Sequence, residues 1–308
     1  MKKIAVFEFF IIIALLTVFI VLLKSGSKNQ STAQSSPTPA VTAMPTDKTL
    51  ANTPDFNRSD IIIVLDAGHG KASSQMSDDE KESSGWTYYN GEWGDWRHFK
   101  FGKKTDDCMG VGCSGRVTPN GTCWYPIVNS DRLYEPEINL NNTLSAKRYL
   151  EELGYTIRLT RETNDENPSI TKRLSYCYPD NDTSKSPDAL VYLCIHSNAG
   201  SGSGTSYIAL RGEYDHPEIP DNYVGFSNTL GMYVNDEIAN NTPLKKNPPI
   251  TYEPELVAFC KCPVICGYLE IGFYDNESDF EILNNYSDTI GKAIAQGVDR
   301  FICELLAK

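Results

Sequence analysis

Ile61-Ile62-Ile63-Val64-Leu65-Asp66-Ala67-Gly68-His69-Gly70 is the stretch from which this 308-residue chain is best read. Five consecutive aliphatic residues, all but the last β-branched, describe a short strand buried on both faces. The glycine-flanked histidine then stands on the turn at the strand's C-terminal end, where α/β proteins place their chemistry. Gly68 and Gly70 carry no Cβ, so the backbone can turn sharply and leave the His69 imidazole facing a cleft. A strand-end histidine that merely packs would have the same local signature, so the decision falls to the rest of the chain.

Three later stretches supply that context. Tyr134-Glu135-Pro136-Glu137-Ile138-Asn139-Leu140 opens a helix, with Pro136 at a favoured first-turn position. Val191-Tyr192-Leu193-Cys194-Ile195-His196-Ser197-Asn198-Ala199 is a second strand ending in histidine, and Gly267-Tyr268-Leu269-Glu270-Ile271-Gly272-Phe273 a third strand carrying a carboxylate. Two histidines and a glutamate match the ligand set of catalytic zinc, and a further glutamate is left to act as a base. A carboxylate at a helix N-terminus can also be a simple dipole partner, and Glu137 lies close enough to be confused with Glu135.

With LDAGHG, E-x-x-x-N-L, IHSNA and LEIGF in this order, the sequence resembles the zinc-dependent N-acetylmuramoyl-L-alanine amidases, which cut the amide between glycan and stem peptide of peptidoglycan. The resemblance runs from about Ile61 to the C-terminus, interrupted by one insertion. It implies one catalytic zinc held by His69, Glu135 and His196, with Glu270 moving the proton between water and the leaving amine. It also implies the bond to be cut, between N-acetylmuramic acid and L-alanine. Spacing alone supports only metal-assisted amide hydrolysis. Two other readings stay open at this point: a non-catalytic peptidoglycan-binding or regulatory domain on the same fold, and a zinc peptidase acting within the stem peptide. Lys71 departs from the family pattern, standing where a further glycine is common.

The fold expected is α/β, a single twisted mixed β-sheet flanked by helices, with one long insertion after the first strand. A helix of about 18 residues from Glu135 ends at Gly154. Tyr155 to Arg161 alternates as a strand, and Arg161 and Arg173 are expected to tie the fold together rather than touch substrate. Further elements are the strand Ala189 to Ile195, a strand Tyr207 to Leu210 led into by Thr205 and Ser206, and a helix from Tyr223 to Ala239. A last strand is expected at Pro263 to Ile271 and a closing helix at Asp288 to Leu306. Alternation puts Cys262, Val264, Cys266, Tyr268 and Glu270 on one face of that last strand if no bulge intervenes. Cys260, Cys262 and Cys266 are expected to pack as small apolar residues rather than form a thiolate metal site.

The amino terminus reads differently. Met1-Lys2-Lys3 and the apolar run Ile4 to Leu23 can cross a bilayer, since about 20 helical residues span roughly 30 Å. The run exceeds an ordinary signal-peptide core and has no A-x-A site directly after it, so residues 1–24 are expected to be an uncleaved signal-anchor, with cleavage and secretion as the alternative. Lys2 and Lys3 hold that end inside, which turns the rest of the chain outward and makes the protein extracytoplasmic. Residues 25–58, rich in Ser, Thr and Pro, form a flexible linker reaching roughly 30 to 36 Å. Residues 59–308 form the catalytic domain, whose insertion is 71–133. The partners implied are peptidoglycan and, through the N-terminal helix, the membrane. A net charge of −12 and a pI of about 4.9 leave no basic stripe for nucleic acid.

The insertion holds all four tryptophans (Trp86, Trp93, Trp96, Trp124), His98, and Cys108, Cys113 and Cys123. Its aromatic content fits either a sugar or peptide platform beside the cleft or a small core that folds the insertion. Three cysteines in an extracytoplasmic segment allow one disulfide, whereas a structural zinc knuckle lacks its second ligand pair. Nine cysteines in all is an odd count, so at least one thiol has no intramolecular partner. Gly110-Val111-Gly112-Cys113-Ser114-Gly115 matches a dinucleotide-binding pattern without its strand and helix, and is set aside. Ser169-Ile170-Thr171-Lys172 spells S-x-x-K but reads as the start of a helix.

Overall fold

The computed structural model describes residues 56–71, 76–89, 92–94, 135–200, 202–210, 221–251 and 262–307, all within the compact unit Asn52–Lys308. In chain order the strands are β1 (Ile62–Ala67), β2 (Thr87–Tyr89), β3 (Glu92–Gly94), β4 (Thr156–Leu159), β5 (Ala189–Asn198), β6 (Thr205–Ala209), β7 (Ile250–Thr251) and β8 (Ile265–Phe273). The helices are α1 (Asp78–Ser83), α2 (Glu135–Glu152), α3 (Ile170–Ser175), α4 (Asp221–Asn241), α5 (Glu277–Asn285) and α6 (Ser287–Leu306). The expected anchor, nearly all of the linker, and the part of the insertion with Trp96, His98, Cys108, Cys113, Cys123 and Trp124 lie outside the described residues. So does Cys260. Among the described residues no helix is long and apolar enough to cross a membrane.

Six strands form one mixed sheet in the order β4-β1-β5-β8-β6-β7. β4, β1, β5 and β8 are parallel, and β6 runs antiparallel to β8. Period-two alternation divides the strands between two apolar layers. Ile63 and Leu65 of β1, Val191, Leu193 and Ile195 of β5, and Ile265, Leu269 and Ile271 of β8 pack in one layer with α2, α4, α5 and α6. Val64, Tyr192, Cys194, Cys266 and Tyr268 face the other, with Leu174, Cys177, Cys262 and Val264. Cys262 and Cys266 are thus small core residues, as expected, and Cys194 of β5 joins them.

The chain leaves β1, returns through α2 to the parallel strand β4, and then crosses to β5 on the other side of β1. That reversal opens a crevice at the C-terminal ends of the strands. Because α2 links two parallel strands it runs antiparallel to them, which brings its first turn to the same end.

Several boundaries differ from the sequence reading. The last strand is shifted by two residues to Ile265–Phe273, because its pairing with β5 continues past Glu270 through a bulge. His196 pairs with Glu270 but Asn198 with Phe273, and Gly272 takes up the extra residue at φ 78°. Thr205 and Ser206 belong to β6 itself, opposite Ile271 and Glu270, where backbone pairing outweighs their weak local signal. Helix α5 was not foreseen; it starts at Asn276, whose side chain accepts from the backbone N–H groups of Ser278 and Asp279. The insertion begins with α1, held by a reciprocal capping box of Ser77 and Glu80, followed by the β2-β3 hairpin. Trp86 is buried there and donates its indole N–H to the carbonyl of Asn167, 3.0 Å away, so this tryptophan folds the start of the insertion.

Candidate metal centre

His69 follows β1 on a backbone bend. Its own φ is 60° and that of Gly70 is 153°, both conformations that L side chains rarely adopt. Gly68, by contrast, is needed for space: a Cβ there would lie 2.4 Å from Cε1 of His196. The Gly68 N–H donates to the Ile195 carbonyl at 2.9 Å, fastening the end of β1 to β5 just before His196.

Two buried arginines hold this bend. Arg173 donates to the carbonyls of Ala67 and His69 and to Asp66 Oδ1 at 2.6 Å. Arg161 donates to the carbonyls of Ala67, Gly68 and Pro136, tying β1 to the first turn of α2. Burial alone would raise the pKa of Asp66, but the Arg173 charge and the Thr160 hydroxyl overcome it and bring the carboxyl down to about 2. Both arginines therefore tie the fold together, as expected. Ser169 is the N-cap of α3, its hydroxyl accepting from the Lys172 N–H, which leaves nothing of a nucleophile in S-x-x-K.

The three sequence-chosen ligands converge. His69 Nε2 lies 3.1 Å from Oε1 of Glu135, and His196 Nδ1 lies 3.3 Å from the same oxygen. One ligand atom from each of the three residues falls within 4.8 Å of the others, and this is the one such group of His, Cys, Asp or Glu among the described residues. Glu137 is not part of it. The imidazoles of His69 and His196 meet edge to face at 4.8 Å between centroids, and Tyr268 stacks on His196 at 4.8 Å. Glu270 stands beside His196 in the β5-β8 register and is flanked on its other side by Ser206 of β6.

Electrostatics sets the two glutamates apart. Burial disfavours charge on Glu135, yet His69 and His196 outweigh it and hold its carboxyl well below the ordinary carboxylate range. Burial pushes His196 down, favouring the neutral imidazole that a metal requires. Burial, and then the charge of Glu135, push Glu270 well up. Its Oε2 is shielded from solvent with no hydrogen-bond partner among the described residues. An unpartnered carboxyl oxygen next to two imidazoles and an ionised carboxylate fits a site built to hold a cation. The donor set of two nitrogens and one oxygen suits zinc, with a position left open.

The model of the N-acetylmuramoyl-L-alanine amidase family (Amidase_3) matches residues 63–300 of this chain. The chain belongs to that family. The amidase fold seen here is similar to Ami1, an N-acetylmuramyl-L-alanine amidase from Mycobacterium smegmatis, with TM-score 0.52 and 18% identity over 80% of this chain and 99% of that one. It is also similar to the amidase AmiC2 of Nostoc punctiforme, with TM-score 0.50 and 16% identity over 79% and 98% of the two chains. Cwp6 from Clostridium difficile has TM-score 0.50 and 19% identity over 79% of this chain but 30% of its own, so this chain spans under a third of Cwp6. Comparison with curated proteins finds no match. At these identities the structural likeness concerns the fold, and the site has to be argued from its own residues.

Sequence reading misses two residues that support the site. Asn139 entered only as a motif letter, although its position four residues after Glu135 puts both on one helix face, a signal sufficient to find it. Asp66 carried a signal as well, being a charge inside an apolar strand and so in need of a buried partner.

Proposed function

We propose that this amidase hydrolyses the amide between N-acetylmuramic acid and the L-alanine of the peptidoglycan stem peptide, with His69, Glu135 and His196 holding one zinc ion and Glu270 as the catalytic acid and base. The observation that carries the reading is the convergence of two imidazoles and an ionised carboxylate beside a second, unpartnered carboxyl group. The chemistry a bound zinc ion supplies is Lewis acidity, lowering the pKa of water to around 7 and polarising the scissile carbonyl.

The protein's own groups do the rest. His196 is kept neutral by burial and Glu135 ionised by its histidine neighbours, the forms in which each can ligate. Glu270 lies beside His196 on the face where water would be activated. It takes the water proton at its carboxylate and returns it to the nitrogen of the leaving amine. The L-alanine amine departs with that proton and the muramic acid keeps the new carboxylate, so no covalent enzyme intermediate is needed.

The proposal extends to location. Residues 1–24 anchor the chain in the membrane, residues 25–58 tether it, and the domain of residues 59–308 acts on the wall outside. The apolar run and the Ser/Thr/Pro-rich composition support this.

Digestion of purified peptidoglycan followed by mass analysis of the products tests the bond. Free stem peptides beginning with L-alanine are expected, and cleavage inside the stem would replace this reading with a peptidase. The variant Glu270→Gln should keep its zinc and lose hydrolysis by about 100-fold or more, in line with removal of a general acid-base group. Full activity in that variant would remove Glu270 from the mechanism.

A further inference from the structure

Asn139 is fully buried on α2, and its side-chain amide reaches the ends of β1 and β5 as well as the first turn of its own helix. Its Nδ2 donates to the Gly68 carbonyl and to Oε1 of Glu135, each at 3.3 Å. Its Oδ1 accepts from the Ser197 hydroxyl at 3.0 Å. Gly68 precedes His69, Glu135 is itself one of the three converging groups, and Ser197 follows His196. The Ser197 N–H points to the same Glu135 oxygen at 3.4 Å, closing the arrangement.

We propose that Asn139 is a positioning residue for the metal centre, setting the ends of β1 and β5 and the first turn of α2 in register so that the three ligands meet. This rests on the metal reading above. The chemistry requires a carboxamide, because one planar group must offer donors toward Gly68 and Glu135 and an acceptor toward Ser197. Aspartate has the same shape but turns an acceptor toward a carbonyl and a carboxylate. Oε1 of Glu135, the oxygen nearest both histidines, then loses a hydrogen bond and gains a repulsive neighbour. Outer hydrogen bonds of this kind orient the ligands that a metal uses.

Asn142, three residues further along α2, provides a matched control. It is equally buried, and its side-chain nitrogen and oxygen have no hydrogen-bond partner among the described residues, so it makes none of the ties that Asn139 makes to Gly68, Glu135 and Ser197.

Zinc affinity of the full chain, measured by competition with a chromophoric chelator, tests the proposal together with the visible spectrum of the cobalt(II)-loaded protein. Asn139→Asp should bind zinc about 10- to 100-fold more weakly and show an altered cobalt spectrum, the range found for outer-ligand partners. Asn142→Ala should match the native protein in both. Ser197→Ala removes only the hydrogen bond to Oδ1, so it keeps the fold should Asn139→Asp fail to, and it should weaken zinc binding several-fold. Native affinity and spectrum in Asn139→Asp, or in Ser197→Ala where the first variant does not fold, would overturn the positioning role. A native chain that takes up no zinc would overturn the metal reading itself, and the role of Asn139 with it.

Discussion

His69 occupies a left-handed backbone conformation, which costs roughly 1–3 kcal/mol for a residue with a Cβ and persists only when its surroundings impose it. Here they do, through Arg173 on its carbonyl and the Gly68 N–H on Ile195. The flanking glycines were legible in the sequence, but the reason for the first lay elsewhere. Gly68 does not make the turn; it leaves room for the ring of His196, a residue 128 positions later in the chain. Gly68→Ala would drive a methyl group into that ring at a point with no slack. Zinc affinity is expected to fall at least about tenfold while the far-ultraviolet circular dichroism is kept, and cobalt titration would measure the loss. At Glu135 the ambiguity with Glu137 was real in sequence, since both lie in the first helical turn. The E-x-x-x-N-L pattern pointed to the first, and the placement of the first turn of α2 at the ends of β1 and β5 brings Glu135 to both histidines.

Strand β8 illustrates what an element's neighbours decide. Its alternation through Cys266, Tyr268 and Glu270 was readable, because side chains on a strand have a period of two. The bulge at Gly272 was not, since it depends on how β5 and β8 align after His196. Had the extra residue fallen before Glu270, the carboxylate would have pointed into the helical layer. The tie between α3 and β1 is of the same kind. Arg173 and Asp66 are both buried and joined at 2.6 Å, so each needs the other. Arg173→Met is expected to destabilise the domain by about 3–5 kcal/mol in urea denaturation, because it strands a buried charge. Adding Asp66→Asn to that variant should recover part of the loss, a non-additivity that a double-mutant cycle would record.

For the whole molecule, the same pair sets a pH dependence. The carboxyl of Asp66 titrates near 3.8 in an unfolded chain and at about 2 in the folded protein. Between those values the unfolded state binds more protons, so stability rises with pH. This contribution, on the order of 2 kcal/mol, is present above pH about 4 and lost as the pH falls through about 2. Denaturation curves from pH 2 to 6 should show that slope, and Asp66→Asn should flatten it. Zinc bound only by the native state should raise the melting temperature, and chelation should lower it by several degrees while abolishing hydrolysis, since saturation at about 100 times the dissociation constant contributes about 2.7 kcal/mol. A melting temperature indifferent to chelator would argue against a metal held by three parts of the fold. By itself the sequence determined the elements that carry their own signals: apolar strands of period two, the capped helix after Glu135, and the identity of the residues able to ligate. The tertiary structure alone decided which of those residues meet. The reason is physical, because convergence depends on strand order, on a bulge and on buried hydrogen bonds from Arg161, Arg173 and Asn139. Apart from the Asn139–Glu135 contact within one helix, each of these joins residues far apart in the chain and leaves no periodic trace in it.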